Sequence, residues 1–125
     1  MNILLDTHVL IWALENNPTL SDKARSSIIR PTNVVFVSSA SVWEIAIKKQ
    51  MAKLDCPDNL QEEIKLHRFT PLPINHNHAE QAGKLPGIHK DPFDRMLIAQ
   101  AIIEKLTLVT RDELIAKYNV RIIKA

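Results

Sequence analysis

Apolar positions along the chain follow two rhythms. Short unbroken runs, "NILLD" (2–6), "NVVFVS" (33–38), "LTLVT" (106–110) and "VRIIK" (120–124), predict strands buried on both faces. The segment 69–74 is also extended, but Pro71 and Pro73 consign it to a sheet edge. Between these runs the apolar residues recur at helical spacing. Helices are predicted over 7–16, closed by Asn16-Asn17-Pro18; over 21–30, with Ser21 as N-cap and Pro31 as stop; and over 39–53, 59–69 and 75–85. Residues 86–90 read as a loop. A long helix follows over 91–105, with Asp91 as N-cap and Pro92 at its first position, and a short one over 113–119. Strands alternating with helices predict an α/β fold with a mostly parallel sheet of four to five strands, built as a single domain over 1–125. In such sheets ligands bind beyond the carboxyl ends of the strands.

Composition narrows the class. With 125 residues, 46% hydrophobic, 24% charged and only 2 Gly, the chain can bury a sizeable core without crosslinks. A net charge of +2 permits a polyanionic partner without demanding one. One cysteine, Cys56, cannot make an internal disulfide and fits a reducing compartment. No apolar run approaches the ~20 residues that span a bilayer, and "MNILLD" lacks the features of a signal peptide, so no membrane association and a cytoplasmic location are expected.

Four acids fall at the edge where chemistry is expected. Asp6 ends the first strand and Asp112 follows the strand 106–110. Glu44 and Asp94 lie in the first turns of helices that begin at the same edge. Each has a purely structural reading. Ser41 and Glu44 have the spacing of a capping box, Asp94 suits a helix dipole, and Asp6 and Asp112 could cap the helices after them. Together they are harder to dismiss: two like charges about 4 Å apart cost about 4 kcal/mol at an effective dielectric of ~20. A cation relieves that cost, and all-oxygen donors suit Mg²⁺ or Mn²⁺ rather than Zn²⁺. Mg²⁺ held by carboxylates and water usually works on phosphate substrates.

These residues resemble the PIN-domain ribonucleases, and among them the VapC-like toxins of toxin–antitoxin pairs. The resemblance rests on "LLDTH" (4–8), "SSASVWEIAIK" (38–48), "HKDPFDRMLIAQA" (89–101) and "LTLVTRD" (106–112), spread over nearly the whole chain. It implies a PIN-like α/β/α sandwich and an Mg²⁺- or Mn²⁺-dependent endoribonuclease. Asp6, Glu44 and Asp94 fall on the family's three central acidic positions and Asp112 on the fourth. It further implies an RNA substrate, a cognate antitoxin and a homodimer.

Other residues carry divided readings. Asp91 lies one turn before Asp94 and either caps its helix or approaches the metal. Thr7, Ser39 and Thr110 are hydroxyls at the same edge, suited to holding carboxylates or to capping. Arg95, Arg111 and Lys90 are the candidate RNA contacts; Lys84 and His89 are near them in sequence. Lys48, Lys49 and Lys53 form a stripe expected to face solvent, and Trp12 and Trp43 are expected in the core. No Cys or third His stands at zinc spacing from His76 and His78. Two alternatives remain: a receiver-like phospho-acceptor domain, which leaves Glu44 and Asp94 unexplained, and a catalytically silent PIN-like RNA-binding module.

Overall fold

The computed structural model describes residues 1–52, 54 and 56–125. Among them five strands, β1 (Asn2–Leu5), β2 (Val34–Ser38), β3 (Thr70–Leu72), β4 (Thr107–Thr110) and β5 (Ile122–Lys124), form one sheet in the order β3-β2-β1-β4-β5. Every pairing is parallel. β1 is central because Ile3, Leu4 and Leu5 are all fully buried and need cover on both faces. Ile3 and Leu5 join Val35, Val37 and Val109 against α1 (Thr7–Glu15), α2 (Asp22–Ile29), α3 (Ser39–Gln50) and α4 (Leu60–Leu66). Leu4 and Leu108 pack on the other face against Ala82 of α5 (His76–Lys84) and Leu97 and Ile98 of α6 (Pro92–Glu104). The result is the expected α/β/α arrangement with an all-parallel sheet.

Local chemistry sets the boundaries. Asn16 closes α1 in the left-handed conformation, and Ser21 caps α2 by accepting the Ala24 N–H. Asp91 caps α6, with Pro92 in its first turn. Three expectations are corrected. The extended segment 69–74 supplies only Thr70–Leu72 as strand, at the edge its prolines require. The helix over 113–119 is reduced to a 3₁₀ turn, Ile115–Lys117, because Asp112 folds back to accept the Leu114 N–H. The helix over 39–53 ends at Gln50; Lys53, its last expected residue, lies outside the described residues.

The strand order fixes where a ligand fits. From β1 the chain adds β2 on one side, and later β4 on the other. The crossovers diverge there, leaving a crevice beyond the carboxyl ends of β1 and β4. No helix among the described residues is long and apolar enough to cross a membrane.

Candidate metal centre

One cavity of about 450 Å³ opens at that crevice and is lined by Asp6, Glu44, Asp91, Asp94 and Asp112, with Lys48 and Arg111 as its cationic side chains. Five carboxylates against two cations leave it net negative. Residues that are remote in sequence reach it for local reasons: Asp6 and Asp112 follow strands, Glu44 lies on α3, and α6 runs back along the sheet so that Asp94 sits at the same edge.

The carboxylates differ in what satisfies them. Asp6 is buried; its Oδ1 accepts the Val9 N–H at 2.9 Å, capping α1, and its Oδ2 accepts the Thr110 hydroxyl. Burial still raises its pKa, against those two bonds. Glu44 is buried as well. Its Oε1 lies 2.6 Å from the Thr7 hydroxyl, and its Oε2 pairs with Lys48 Nζ at 2.5 Å. Asp112 accepts the Leu114 N–H at 2.8 Å on Oδ1 and His89 Nε2 at 2.8 Å on Oδ2. Burial works to raise its pKa, but these bonds to His89 and the backbone hold it below the ordinary value. Asp91 uses Oδ1 to accept the N–H groups of Phe93 and Asp94.

Asp94 is the exception. Among the described residues no donor hydrogen-bonds its carboxylate, and the nitrogen of His89, Nε2, stands 3.1 Å away. Burial first, and then the charge of Asp91, push its pKa up to about 7; Glu44 and Asp6 add to the effect and His89 opposes it. A group in that condition is the one a cation would relieve most.

Several sequence readings change. Glu44 takes no part in a capping box: Ser38 caps α3, so the helix starts earlier and Glu44 stands beyond its first turn. Ser41 instead lies 3.1 Å from Thr7, fully buried. Ser39 is directed away from the acids and lines an apolar groove of about 760 Å³ beside Val37, Trp43 and Phe69. Trp43 is not core: 62% of it is exposed, and its ring meets Phe93 edge-on at 5.4 Å. Lys48 faces the acids rather than solvent alone, whereas Lys49 pairs with Asp58.

Arg95 is fully engaged elsewhere. Its Nη1 donates to the carbonyls of Pro86 and His89, and its Nη2 to those of Ala82 and Leu85, at 2.7–3.0 Å. It fastens the end of α5 and the following loop to α6, which leaves no N–H of those two nitrogens for a phosphate. Arg111 lines the cavity, stacks 4.6 Å above the Trp12 ring, and gives Nε and Nη2 to backbone carbonyls, including that of Ala125. Lys90 is exposed.

The residue that sequence reasoning passed over is His89. It is buried, and it stands between Asp112 and Asp94. Its only signal was its place in "HKDPFDR"; nothing in linear spacing links it to Asp112. Lys48 did carry a signal, the i,i+4 spacing from Glu44.

The PIN domain family model matches residues 3–120. Among solved structures, the chain is similar to VapBC2 from Rickettsia felis bound to a DNA fragment from their promoter (TM-score 0.73, 18% identity, 99% of this chain and 98% of that one covered). It is also similar to DNA-bound VapBC from Salmonella typhimurium (TM-score 0.67, 18% identity, 99% and 98% covered) and to FitAcB from Neisseria gonorrhoeae (TM-score 0.66, 21% identity, 98% and 96% covered). At these identities the likeness is one of fold. No curated protein matches the chain.

Proposed function

The chain belongs to the PIN-domain family, and from that premise we propose that it is an Mg²⁺- or Mn²⁺-dependent endoribonuclease, the toxin of a toxin–antitoxin pair. The carrying observation is Asp94, a carboxylate without a hydrogen-bond donor among the described residues, in a cavity lined by four other acids. The donor set fits a hard divalent ion: Asp6, Glu44, Asp94 and Asp112 offer oxygen, against one imidazole, His8, and no cysteine among the lining residues. Asp94 and Asp6 would hold the ion, with Glu44 and Asp112 completing the site directly or through water. When bound, the ion supplies Lewis acidity toward water and the scissile phosphate.

The protein's own groups set the stage for that chemistry. Thr110 holds one oxygen of Asp6 and Thr7 one of Glu44, while the Val9 N–H and Lys48 hold the others, so both carboxylates are fixed in orientation rather than free to rotate. With the single Thr7 proton on Glu44, the Ser41 hydroxyl donates back to Thr7 and completes the chain. Lys48 balances Glu44 and lowers the repulsion an approaching phosphate meets. Arg111 and the exposed Lys90 are the proposed RNA contacts, Arg111 from the cavity wall. Asp91 acts through the backbone of α6, which it caps beneath Asp94.

The partners follow the same reading. The VapBC and FitAcB neighbours support a cognate antitoxin, and a homodimer and a cytoplasmic location complete the proposal. The test is direct. Purified protein with Mg²⁺ or Mn²⁺ cuts RNA and EDTA stops it. Asp6→Asn and Asp94→Asn each abolish cutting while circular dichroism stays unchanged. Cleavage that survives EDTA, or silence with both metals, would contradict it; RNA retained without cleavage would indicate a silent binding module.

A further inference from the structure

We propose that His89 is a positioning residue: its ring, held with the hydrogen on Nε2, ties Asp112 in place beside Asp94 and stays outside the metal shell. The donor geometry first suggests the opposite. One ligand atom each from His89, Asp94 and Asp112 lies within 4.8 Å of the others, and a nitrogen among two carboxylates would suit a transition ion.

The other ring nitrogen decides between the two. Nδ1 lies 3.2 Å from the Asp91 backbone N–H and accepts from it. The ring hydrogen therefore sits on Nε2, where it donates to Asp112 at 2.8 Å. For Nε2 to bind a metal, that hydrogen would have to move to Nδ1 and face the Asp91 N–H, donor against donor. The ring is held where it is: it is buried, both its nitrogens are engaged, and the backbone that carries it is fixed by the His89 N–H donating to the Tyr118 hydroxyl at 2.7 Å and by its carbonyl accepting from Arg95 at 3.0 Å.

The consequence falls on the carboxylates. One N–H serves Asp112, whose second oxygen takes the Leu114 N–H, so Asp112 is oriented from both sides. Asp94, 3.1 Å from the same nitrogen, feels its partial positive charge but keeps its lone pairs for a cation. Of these three groups only Asp94 and Asp112 are then left to offer ligand atoms, and both offer oxygen. This rests on the metal-dependent reading above, and the experiment separates the two.

Nitrogen-15 NMR of the wild-type histidines, with and without Mg²⁺, is expected to show His89 protonated on Nε2 in both states. Electron spin-echo spectroscopy of the Mn²⁺-loaded protein should show no coupling to a directly bound imidazole nitrogen. His89→Gln, whose amide can still donate to Asp112, should hold Mn²⁺ within about threefold of wild type, whereas His89→Ala should weaken it by roughly 10- to 100-fold. Hydrogen on Nδ1, a bound-nitrogen coupling, or equal losses in both variants would each overturn the proposal, and the wild-type spectra decide it even if His89→Ala fails to fold. Wild type that binds no Mn²⁺ overturns this proposal and the metal reading together. Wild type that binds Mn²⁺ as described yet leaves RNA intact overturns the ribonuclease reading alone.

Discussion

Removing the charge of Asp94 should make the metal-free protein more stable above neutral pH. The folded carboxyl is raised from 3.8 to about 7, so the folded state holds a proton that the unfolded chain releases. A raised pKa of this kind contributes stability that is fully present below about 3.8 and is lost as pH climbs through about 7. The shift spans about three pH units at ~1.36 kcal/mol each, a ceiling of about 4 kcal/mol. The window from pH 5 to pH 8 captures roughly two of those units, or about 3 kcal/mol. Because 23% of the side chain is exposed, water screens part of this, and about 1–2 kcal/mol is the working figure. Asp94→Asn has no charge to lose. In urea denaturation with EDTA, the wild type should therefore fall by about 1–2 kcal/mol more than the variant between pH 5 and pH 8. The two should converge toward pH 4 and below, with the variant already somewhat ahead at pH 5 and further ahead at pH 8. Asp6 is raised as well and contributes in the same direction in both proteins, so the difference reads Asp94 together with its repulsion of the neighbouring acids. Identical slopes, or a wild type that gains on the variant as pH rises, would mean that the folded protein does not hold a proton on Asp94.

Four further outcomes are expected. Thr110→Val removes the hydroxyl that donates to Asp6 and accepts from the Asp112 N–H, and should cost about 1–3 kcal/mol in chemical denaturation at pH 7; a loss under ~0.5 kcal/mol would contradict that role. Arg95→Ala removes the Arg95 donor from four carbonyls, of which Pro86 keeps the Tyr118 hydroxyl, and should cost about 3 kcal/mol or more, with Arg95→Lys recovering less than half because an ammonium cannot span the same fork. Trp43→Ser should lower stability by no more than about 1.5 kcal/mol, the worth of its edge contact with Phe93. Leu97→Ala, at a fully buried position, should cost about 2–5 kcal/mol.

The parts of the fold legible in the sequence were those governed by short-range rules. Ile3-Leu4-Leu5 reads as a two-sided strand because no polar residue interrupts it. Asn16, Ser21 and Asp91 mark helix ends through chemistry confined to a few neighbouring residues. That Asp6, Glu44, Asp94 and Asp112 share a cavity followed from strand and helix order, since parallel topology sends those ends to one edge. What stayed hidden depends on three-dimensional neighbours. Arg95 looks like a phosphate clamp until the loop 85–90 is seen folded over it. Trp43 lies on an apolar helix stripe wider than the sheet can cover, so spacing could not tell its exposed position from a buried one. Ser41 and Glu44 match a capping box in spacing, yet Ser38 at the strand end intercepts the helix three residues earlier. His89 gains its role only when β4 delivers Asp112 beside it, 23 residues further along the chain.

The most direct test of the central claim is the binding of Mn²⁺ to the RNA-free protein, followed by electron paramagnetic resonance. Wild-type protein should take up Mn²⁺ from solution, Asp94→Asn should weaken that uptake by at least about tenfold, of the order of 1.4 kcal/mol, and Ser39→Ala, beside the apolar groove, should leave it unchanged. Wild-type protein that leaves all Mn²⁺ free, or an Asp94→Asn variant that binds it equally well, would show that these acids do not gather around a divalent ion.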